Sequence, residues 1–439
     1  MDQNDVDQEK IAYDIIFHFE KSPYIHTILP NQIRHSLTIT DQYINGKLLS
    51  DEKSLIMKNK HIASKNLVHF EYMDQLVYLD LEDNEIDDLG EIIKLKELIY
   101  LNLKRNKIFS LDKSFNNVRS IWKLDISYNS IVKISKKIFM NNLRILNMNG
   151  CQLDRFPLNF VKKSRETIMN ISMTNNLLED MPICMAIFDS LVRIDLSSNK
   201  FNRFPSSLSL IESLEILILK NNNISLIPDN IHNLTKLKEL NLDDNKISSL
   251  REICHCGSLV KLSLKRNKIV IVCSNIRSLF NLEYLDLSFN RIMKLPESLF
   301  ILPNLNSLYL KNNRLNVFTA TNFESYITTL DLSFNNLETI SLEKYNHLIY
   351  VNLSNNHLYA ISISIAHNLA SIDLSNNAFH DYPQSLIVTK FITKINMSNN
   401  FITVVPKLYS SSSSQVYIYL KRNYVKIKNT SPEKFVIIE

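Results

Sequence analysis

One pattern, L-x-x-L-x-L-x-x-N-x-I, recurs along most of this 439-residue sequence. Fifteen copies follow one another up to Ile402, mostly 22 or 23 residues apart, with extremes of 21 and 25. Because one repeat of this length cannot bury its own apolar residues, neighbouring copies must stack to form a continuous core. The sequence therefore predicts a solenoid rather than the three globular domains that its length would suggest. The fixed positions of the first copy are Leu76, Leu79, Leu81, Asn84 and Ile86.

The asparagine is the most constant polar position of the pattern. Cysteine replaces it once, a substitution that repeats of this kind tolerate. A buried side-chain amide at this position is expected to hydrogen-bond backbone groups of adjacent turns and so to form a ladder along the chain. The predicted ladder consists of Asn84, Asn106, Asn129, Cys151, Asn176, Asn199, Asn222, Asn245, Asn267, Asn290, Asn313, Asn335, Asn356, Asn377 and Asn400.

The L-x-L segment of each copy predicts a short strand, since apolar and polar residues alternate there with a period of two. Stacked copies would pair these strands into a parallel sheet whose leucines point inward. The isoleucine or leucine after the asparagine would fill the core beneath the turn. Seven copies add a proline after a large apolar residue, as at Ile227-Pro228, which helps to direct the chain to the opposite side of the repeat.

With these residues the chain resembles the leucine-rich-repeat superfamily over about four-fifths of its length. Residues 227–240 are similar to the intracellular Ras-suppressor type of repeat, and residues 86–101 are more similar to the phosphatase-1 regulatory type. The resemblance implies an α/β solenoid, a leucine-rich-repeat horseshoe with a parallel concave β-sheet and an irregular or short-helical convex side. It also implies a cytoplasmic or nuclear adaptor.

The two ends give the predicted domain boundaries. Residues 1–66 are expected to form an N-terminal helical cap with a degenerate first repeat. Residues 67–428 form the solenoid of about 15–16 repeats of 21–25 residues, and residues 429–439 form a C-terminal tail. Two further segments support this division. Leu55, Met57 and Ile62 suggest the opening repeat, and Ile418, Leu420, Asn423 and Val425 suggest an incomplete sixteenth copy.

An amphipathic helix is predicted within the N-terminal cap, because Ile11, Ile15 and Phe19 recur at helical spacing. Two interpretations follow. The helix covers the exposed core of the first repeat, as capping segments of solenoids do, or it binds a partner.

The composition excludes several functional classes. The net charge of +5, with 50 basic and 45 acidic residues, gives no reason to expect a nucleic acid partner. Only 4 glycines predict few turns with positive φ and no glycine-rich phosphate site. The first ten residues are polar and acidic, unlike a secretory signal. No uncharged apolar run approaches the ~20 residues that a membrane span requires.

The 5 cysteines are sparse and odd in number, and none lies before Cys151 or after Cys273. Disulfides that seal the ends of a secreted solenoid therefore have no cysteines to form from, which favours a reducing compartment, the cytoplasm or the nucleus.

Chemistry at a metal or catalytic centre is not expected. The cluster Cys254-His255-Cys256 lacks the second ligand pair that a zinc site requires, so two buried cysteines in a convex loop explain it better. The Ser and Asp residues of the D-L-S-F-N segments are ordinary pattern positions without a matching histidine. We therefore predict no catalytic residue, no metal and no cofactor.

A protein-binding surface is predicted on the concave sheet, at the positions 6, 4, 2 and 1 before the asparagine. Aromatic residues there would serve as anchors on a rigid scaffold. For Phe289 and Phe334 a partly buried core position is the alternative. The predicted partner-binding residues are Tyr78, Tyr100, Tyr128, Ile216, Ile218, Lys265, Tyr284, Phe289, Tyr309, Phe334 and Tyr350.

These features predict a monomeric, non-catalytic scaffold or adaptor that binds a protein partner on its concave face. Two alternatives remain open: a regulatory subunit of an enzyme, in phosphatase or small-GTPase signalling, and an effector that is secreted into a host cell. The repeat pattern itself does not separate them, since the surface of a solenoid varies while its frame stays fixed.

Overall fold

The structure, a computed structural model, describes residues 53–67, 73–318, 324–363, 368–389, 391–410, 415–428 and 435–438. The chain divides into two compact units, Met1–Asn199 and Lys200–Glu439, called unit 1 and unit 2 below. The helix predicted around Ile15 lies outside the described residues, so both of its interpretations stay predictions.

Unit 1 contains a parallel sheet to which each repeat contributes one short strand. The central residue is buried in most strands, as at Leu79 and Leu124, because it is the second leucine of the repeat. The degenerate opening repeat also supplies a strand, in which Leu55 is in register with Leu79. The strands are Ser54–Ile56, Tyr78–Asp80, Tyr100–Asn102, Lys123–Asp125, Ile145–Asn147, Asn170–Ser172 and Arg193–Asp195.

Unit 2 contains the same kind of parallel sheet. The incomplete sixteenth copy supplies one of its strands, and a further strand follows within residues 429–439, where the sequence predicts a tail. The strands are Ile216–Ile218, Glu239–Asn241, Lys261–Ser263, Tyr284–Asp286, Ser307–Tyr309, Thr329–Asp331, Tyr350–Asn352, Ser371–Asp373, Lys394–Asn396, Val416–Tyr419 and Phe435–Ile438.

The opposite side of the repeats is built from short helices and small strand pairs. One α-helical turn, Leu158–Val161, occurs in the described residues. The 3-10 helices are Ser64–Asn66, Gly90–Lys94, Lys113–Asn117, Lys162–Ser164 and Ile183–Ile187 in unit 1, and Ser206–Leu210, Asp229–Asn233, Ile253–His255, Ser274–Ser278, Glu297–Leu299 and Gln384–Leu386 in unit 2. The strand pairs are Ser110–Leu111 with Lys133–Ile134, Thr339–Ser341 with Ala360–Ser362, Val388–Thr389 with Tyr409–Ser410, and Val404–Val405 with Ile427–Lys428.

The predicted fold class is confirmed: each unit is a leucine-rich-repeat solenoid, with its own row of parallel strands and a short-helical opposite side. The pattern leucines form the core, and Leu240, Leu262 and Leu285, for example, are fully buried on three successive strands. Burying an aliphatic side chain of this size contributes about 1.5–3 kcal/mol, so the continuous stack of leucines is the main source of stability.

The repeat asparagines hydrogen-bond to the backbone of two successive turns. Asn290 Nδ2 donates to the carbonyl of Leu287 in its own repeat and to that of Leu264 in the preceding one, both at 2.9 Å. Its Oδ1 accepts the backbone N–H of Ile269 at 3.0 Å. The same arrangement recurs at Asn84, Asn106, Asn129, Asn176, Asn199, Asn245, Asn267, Asn313, Asn335, Asn356, Asn377 and Asn400, and at Asn423 of the sixteenth copy.

Cys151 occupies the asparagine position of one repeat. Its Sγ lies 3.2 Å from the carbonyl oxygen of Ile126, where the amide of an asparagine would donate. Burial raises the pKa of this thiol to about 12, so it stays protonated and can act as a weak donor. The side chain offers no equivalent of Oδ1, and the ladder is therefore weakest here.

The expectation of few turns with positive φ is wrong. The residue before the asparagine adopts a left-handed conformation, with φ between 53° and 62°, in all sixteen copies. Other residues than glycine reach this region at a cost of about 1–2 kcal/mol, and asparagine and aspartate reach it most easily. Six copies use asparagine, and none uses a β-branched residue: the position holds Asp83, Arg105, Tyr128, Gly150, Asn175, Ser198, Asn221, Asp244, Arg266, Phe289, Asn312, Phe334, Asn355, Asn376, Asn399 and Arg422.

The ladder predicts that Asn290→Ala lowers the free energy of unfolding by roughly 3 kcal/mol, because buried carbonyl and N–H groups of two turns lose their partner. Urea unfolding followed by circular dichroism measures the change. Asn281→Ala is the control, since Asn281 Nδ2 donates a single hydrogen bond, to Gly257 at 2.9 Å, and about 1 kcal/mol is expected. Equal losses in the two variants would contradict the ladder's role.

The left-handed turn predicts that Asn376→Val destabilises the protein by about 1–2 kcal/mol, because a β-branched side chain clashes with the backbone at its φ of 55°. Asn376 is exposed, so lost packing does not confuse the comparison. Asn376→Gly should be as stable as the parent chain or slightly more stable. Thermal or urea unfolding distinguishes the two variants, and a valine variant with unchanged stability would refute the prediction.

Candidate partner-binding face

The surface formed by positions 6, 4, 2 and 1 before each asparagine is called the strand face below. Side chains alternate along each strand, so the residues on either side of the buried central leucine belong to this surface. In the strand Lys123–Asp125, for example, Leu124 is buried while Lys123 and Asp125 are half-buried. The strand face of each unit is therefore a row of parallel strands whose outward residues lie side by side.

The acidic residues at position 4 before the asparagine serve the turn rather than a ligand. Asp331 Oδ1 accepts the backbone N–H of Ser333 at 2.9 Å and its hydroxyl at 2.6 Å. The same pair of bonds links Asp373 to Ser375. Burial raises the pKa of the Asp286 carboxyl above its ordinary value. These carboxylates hold the backbone after each strand and are largely occupied.

A cluster of aromatic rings lies on the strand face of unit 2. We call it the ring cluster; its members are Tyr284, Phe289, Tyr309, Phe334 and Tyr350. The rings of Tyr284 and Tyr309 come from neighbouring strands, with centroids 5.3 Å apart and planes at 41°. Phe334 is 46% exposed and Tyr350 is 56% exposed, while the other three are half-buried. The sequence prediction placed these five residues on one surface, and the structure brings Tyr284 and Tyr309 into contact.

Cations lie over three rings of the cluster. Lys261 Nζ is 5.6 Å from the centroid of Tyr284, and Lys311 Nζ is 5.2 Å from that of Phe334. Phe289 lies under Lys265 Nζ, at 5.6 Å, and under the guanidinium of Arg266, at 5.1 Å. Lys261 and Lys311 are not among the predicted partner-binding residues, and Lys311 was missed although its position 2 before an asparagine would have identified it.

Acidic residues one repeat earlier neutralise some of these cations. Glu239 Oε1 lies 3.2 Å from Lys261 Nζ, and Asp244 Oδ1 lies 3.6 Å from Arg266. All four side chains are partly exposed, so each pair contributes little to stability. Ile216 and Ile218 flank the same acidic repeat as half-buried apolar residues on the strand Ile216–Ile218. The unit 2 strand face thus passes from apolar to acidic, basic and then aromatic.

The three tyrosine rings predicted as anchors in unit 1 differ in their exposure to solvent. Tyr78 and Tyr100 are only 5% and 7% exposed, and their rings stack in parallel with centroids 4.1 Å apart. The prediction that both are exposed anchors is therefore wrong. Burial raises the pKa of Tyr100, and Lys123 Nζ lies 5.2 Å from its ring centroid. The two tyrosines act as packing residues of the strand face.

Tyr128 remains available on the same face, with 46% of its surface exposed. Lys104 Nζ and the guanidinium of Arg105 lie 6.0 Å and 5.7 Å from its ring centroid. Its ring rests against Gly150, where an added Cβ would come within 2.7 Å of Tyr128 Cδ1. Gly150 therefore provides the space that this ring occupies.

The remaining cysteines form no metal cluster. In the part of the chain that the structure describes, no group of three or more His, Cys, Asp or Glu residues is arranged to hold a metal ion. Cys254 is buried and its Sγ contacts that of Cys273 at 3.3 Å, while Cys256 packs in the same convex region. None of the helices in the described ranges is long and apolar enough to cross a membrane.

A second row of rings in unit 2 was missed by the sequence prediction. Phe401 and Tyr424 each follow a ladder asparagine directly, and their rings stack at 6.3 Å with planes at 10°. The ring of His380 also stacks on that of Phe401, with their centroids 5.2 Å apart. The prediction considered only positions before the asparagine, and extending the same register by one residue would have found the pair.

Comparison with known proteins agrees with this fold. Residues 212–269 and 280–337 match the family model described as Leucine rich repeat. No curated protein matches the sequence. The matched residues are leucine-rich repeats, and the whole described chain has the leucine-rich-repeat fold.

Several solved structures share the fold. A leucine-rich-repeat protein of Leptospira interrogans is 27% identical with a TM-score of 0.63, covering 75% of this chain and 91% of its own. An internalin of Listeria monocytogenes, inlF, is 22% identical with a TM-score of 0.55, over 75% and 88% of the two chains. The ectodomain of the Arabidopsis thaliana receptor kinase GASSHO1/SCHENGEN3, solved with Casparian strip integrity factor 2, is 20% identical with a TM-score of 0.54, over 84% and 52%.

The contact between Tyr128 and Gly150 predicts that Gly150→Ala destabilises the protein by about 1–2 kcal/mol, because alanine strains a φ of 62° and displaces the ring. Adding Tyr128→Ala should restore the part of the lost stability that is due to the clash with the ring. A double-mutant cycle measures this part. Gly257→Ala is the milder control: its Cβ would meet Phe280 Cε1 at 3.3 Å, without a positive φ. Additive effects of the two substitutions would disprove the contact.

Proposed function

We propose that this chain is a non-catalytic scaffold that binds a protein partner through the strand face of unit 2. The observation that carries the proposal is the ring cluster of Tyr284, Phe289, Tyr309, Phe334 and Tyr350. Three tyrosines on strands of one sheet and two phenylalanines in the turns that follow two of its strands provide a large apolar area that loses little conformational entropy when a partner covers it.

The electrostatic setting of the cluster supports a protein partner. Aromatic residues that carry a hydroxyl or lie beside a cation are typical of the residues that dominate the binding energy when they are buried at protein interfaces. Burial raises the pKa of Tyr284 to about 12, and its hydroxyl, like that of an ordinary tyrosine, can donate a hydrogen bond at physiological pH. The acidic and basic repeats beside the cluster would orient a partner and speed its association more than they would strengthen binding.

We further propose that the chain acts in the cytoplasm or the nucleus as an adaptor of the intracellular repeat type. The sparse, odd set of cysteines supports a reducing compartment. A regulatory subunit of an enzyme and an effector that enters a host cell remain alternative predictions, since they differ in the identity of the partner rather than in the surface that binds it.

The ring cluster predicts that Tyr284→Ala with Tyr309→Ala weakens partner binding by ~2 kcal/mol or more, about 30-fold, because a paired anchor is removed. The partner is first identified by affinity purification and mass spectrometry, and its affinity is then measured by isothermal titration calorimetry.

The matched control is Tyr326→Ala with Tyr359→Ala, which removes two exposed rings outside the strands. It should bind the partner with the affinity of the parent chain. Unchanged affinity of the Tyr284/Tyr309 variant, with its circular dichroism spectrum retained, would contradict the proposal, as would an equal loss in the control.

A further inference from the structure

The segment Leu-Lys-Arg-Asn occurs three times in the repeats, at residues 103–106, 264–267 and 420–423. In each copy the lysine and arginine are positions 2 and 1 before the ladder asparagine, and the arginine has φ of 53°, 54° or 59°. Sequence and backbone are thus the same three times, so any difference in the surroundings of the charges comes from the neighbouring repeat.

In each of the first two copies, an acidic residue of the preceding repeat partly neutralises the positive charge. Glu82 lies 3.0 Å from Lys104 and 3.8 Å from Arg105, and Asp244 lies 3.6 Å from Arg266. These pairs compensate part of the positive charge of the first two copies on the strand face.

In the part of the chain that the structure describes, the third copy has no such acidic neighbour. The corresponding positions of its preceding repeat are Ser398 and Asn399, and within the described ranges no carboxylate lies within 4.0 Å of Lys421 or Arg422. Asp373 lies on the strand beyond Lys394–Asn396 and is already hydrogen-bonded to Ser375 and to Asn396 Nδ2, the latter at 3.0 Å. Among the residues that the structure describes, the positive charge of this copy is therefore left uncompensated.

The sequence around the third copy strengthens this imbalance. Residues 382–432 contain seven lysines and arginines and no aspartate or glutamate, so the remainder of the chain is slightly acidic. We call five residues on the strand face of this segment the basic end patch: Lys394, Tyr417, Tyr419, Lys421 and Arg422. All are half-buried or exposed.

We propose that the basic end patch binds an acidic segment of a polypeptide, rich in aspartate and glutamate. Lys421 and Arg422 supply charge-assisted hydrogen bonds to carboxylates. Tyr417, which is 41% exposed, supplies apolar surface beside them. Charge complementarity of this kind selects the sign of the partner and accelerates its association.

The arrangement of the rings favours a peptide over a single-stranded nucleic acid. Proteins that bind single strands offer open ring faces on which bases stack. Here Lys394 Nζ lies 5.5 Å above the ring of Tyr419, and Phe401 and Tyr424 stack on each other. These contacts occupy one face of Tyr419 and one face of Tyr424, and Phe401 stacks on His380 as well as on Tyr424. The edges of these rings and the neighbouring cations suit carboxylates and side chains.

The basic end patch is separate from the ring cluster, and the two bind independently under this proposal. The inference goes beyond the proposed function because it concerns other residues and specifies the chemistry of the ligand. Its test uses a defined probe, so its outcome does not depend on the partner of the ring cluster.

The test measures fluorescence anisotropy of a labelled peptide of about ten alternating Glu and Tyr residues against the full chain. We expect binding that weakens as salt rises from low to physiological concentration. Lys421→Ser with Arg422→Asn should weaken it at least about 10-fold. This variant is expected to fold, because it creates Leu-Ser-Asn-Asn, which the chain already uses at residues 353–356 and 374–377.

The matched control is Lys104→Ser with Arg105→Asn, which makes the same substitution and removes the same charge from a partly neutralised copy. It should bind the peptide within about 2-fold of the parent chain. Equal loss in both variants would show a dependence on net charge alone and would overturn the proposal. Failure of the parent chain to bind the peptide would overturn it too, as would tighter binding of a single-stranded RNA of equal charge or of vesicles containing phosphatidylserine.

Discussion

The side-chain amide of the repeat asparagine is the interaction on which the rest of this structure depends. A chain that leaves a strand abruptly buries carbonyl and N–H groups that the sheet cannot satisfy, and each such group costs about 1–3 kcal/mol if unpaired. Asn290 satisfies groups of its own turn and of the preceding one. Because every amide joins two turns, it also fixes the offset between them, which keeps Leu262 in register with Leu285.

The left-handed residue before each asparagine is the second part of that turn. Its strain is offset by a backbone hydrogen bond to the next repeat, such as that from Phe289 N–H to the carbonyl of Lys311 at 2.7 Å. Charged, polar and aromatic residues all occur at this position, and none of the sixteen is branched at Cβ. The turn therefore restricts the backbone strongly and the chemistry of the surface only weakly.

The sequence predicts the parts of the structure that repeat. Strand positions, buried leucines and ladder asparagines follow from the register, because each copy supplies the same evidence again. The left-handed turns could not be read from the glycine count, since Asn376 and Arg266 adopt them as well. The burial of Tyr78 and Tyr100 was also missed, because it arises from stacking between two copies rather than from a property of either position.

The three Leu-Lys-Arg-Asn segments show why the candidate site is harder to predict than the fold. The backbone of Lys265 and Arg266 matches that of Lys421 and Arg422, yet Asp244 pairs with the first arginine and no described carboxylate pairs with the second. Surface chemistry therefore depends on which repeats are neighbours, and a single copy does not contain that information. The surface chemistry can be predicted once the register is known. The residue one position before the asparagine of one repeat then lies beside the equivalent residue of the next repeat. Partner-binding surfaces in this chain are accordingly to be sought where adjacent repeats fail to compensate each other.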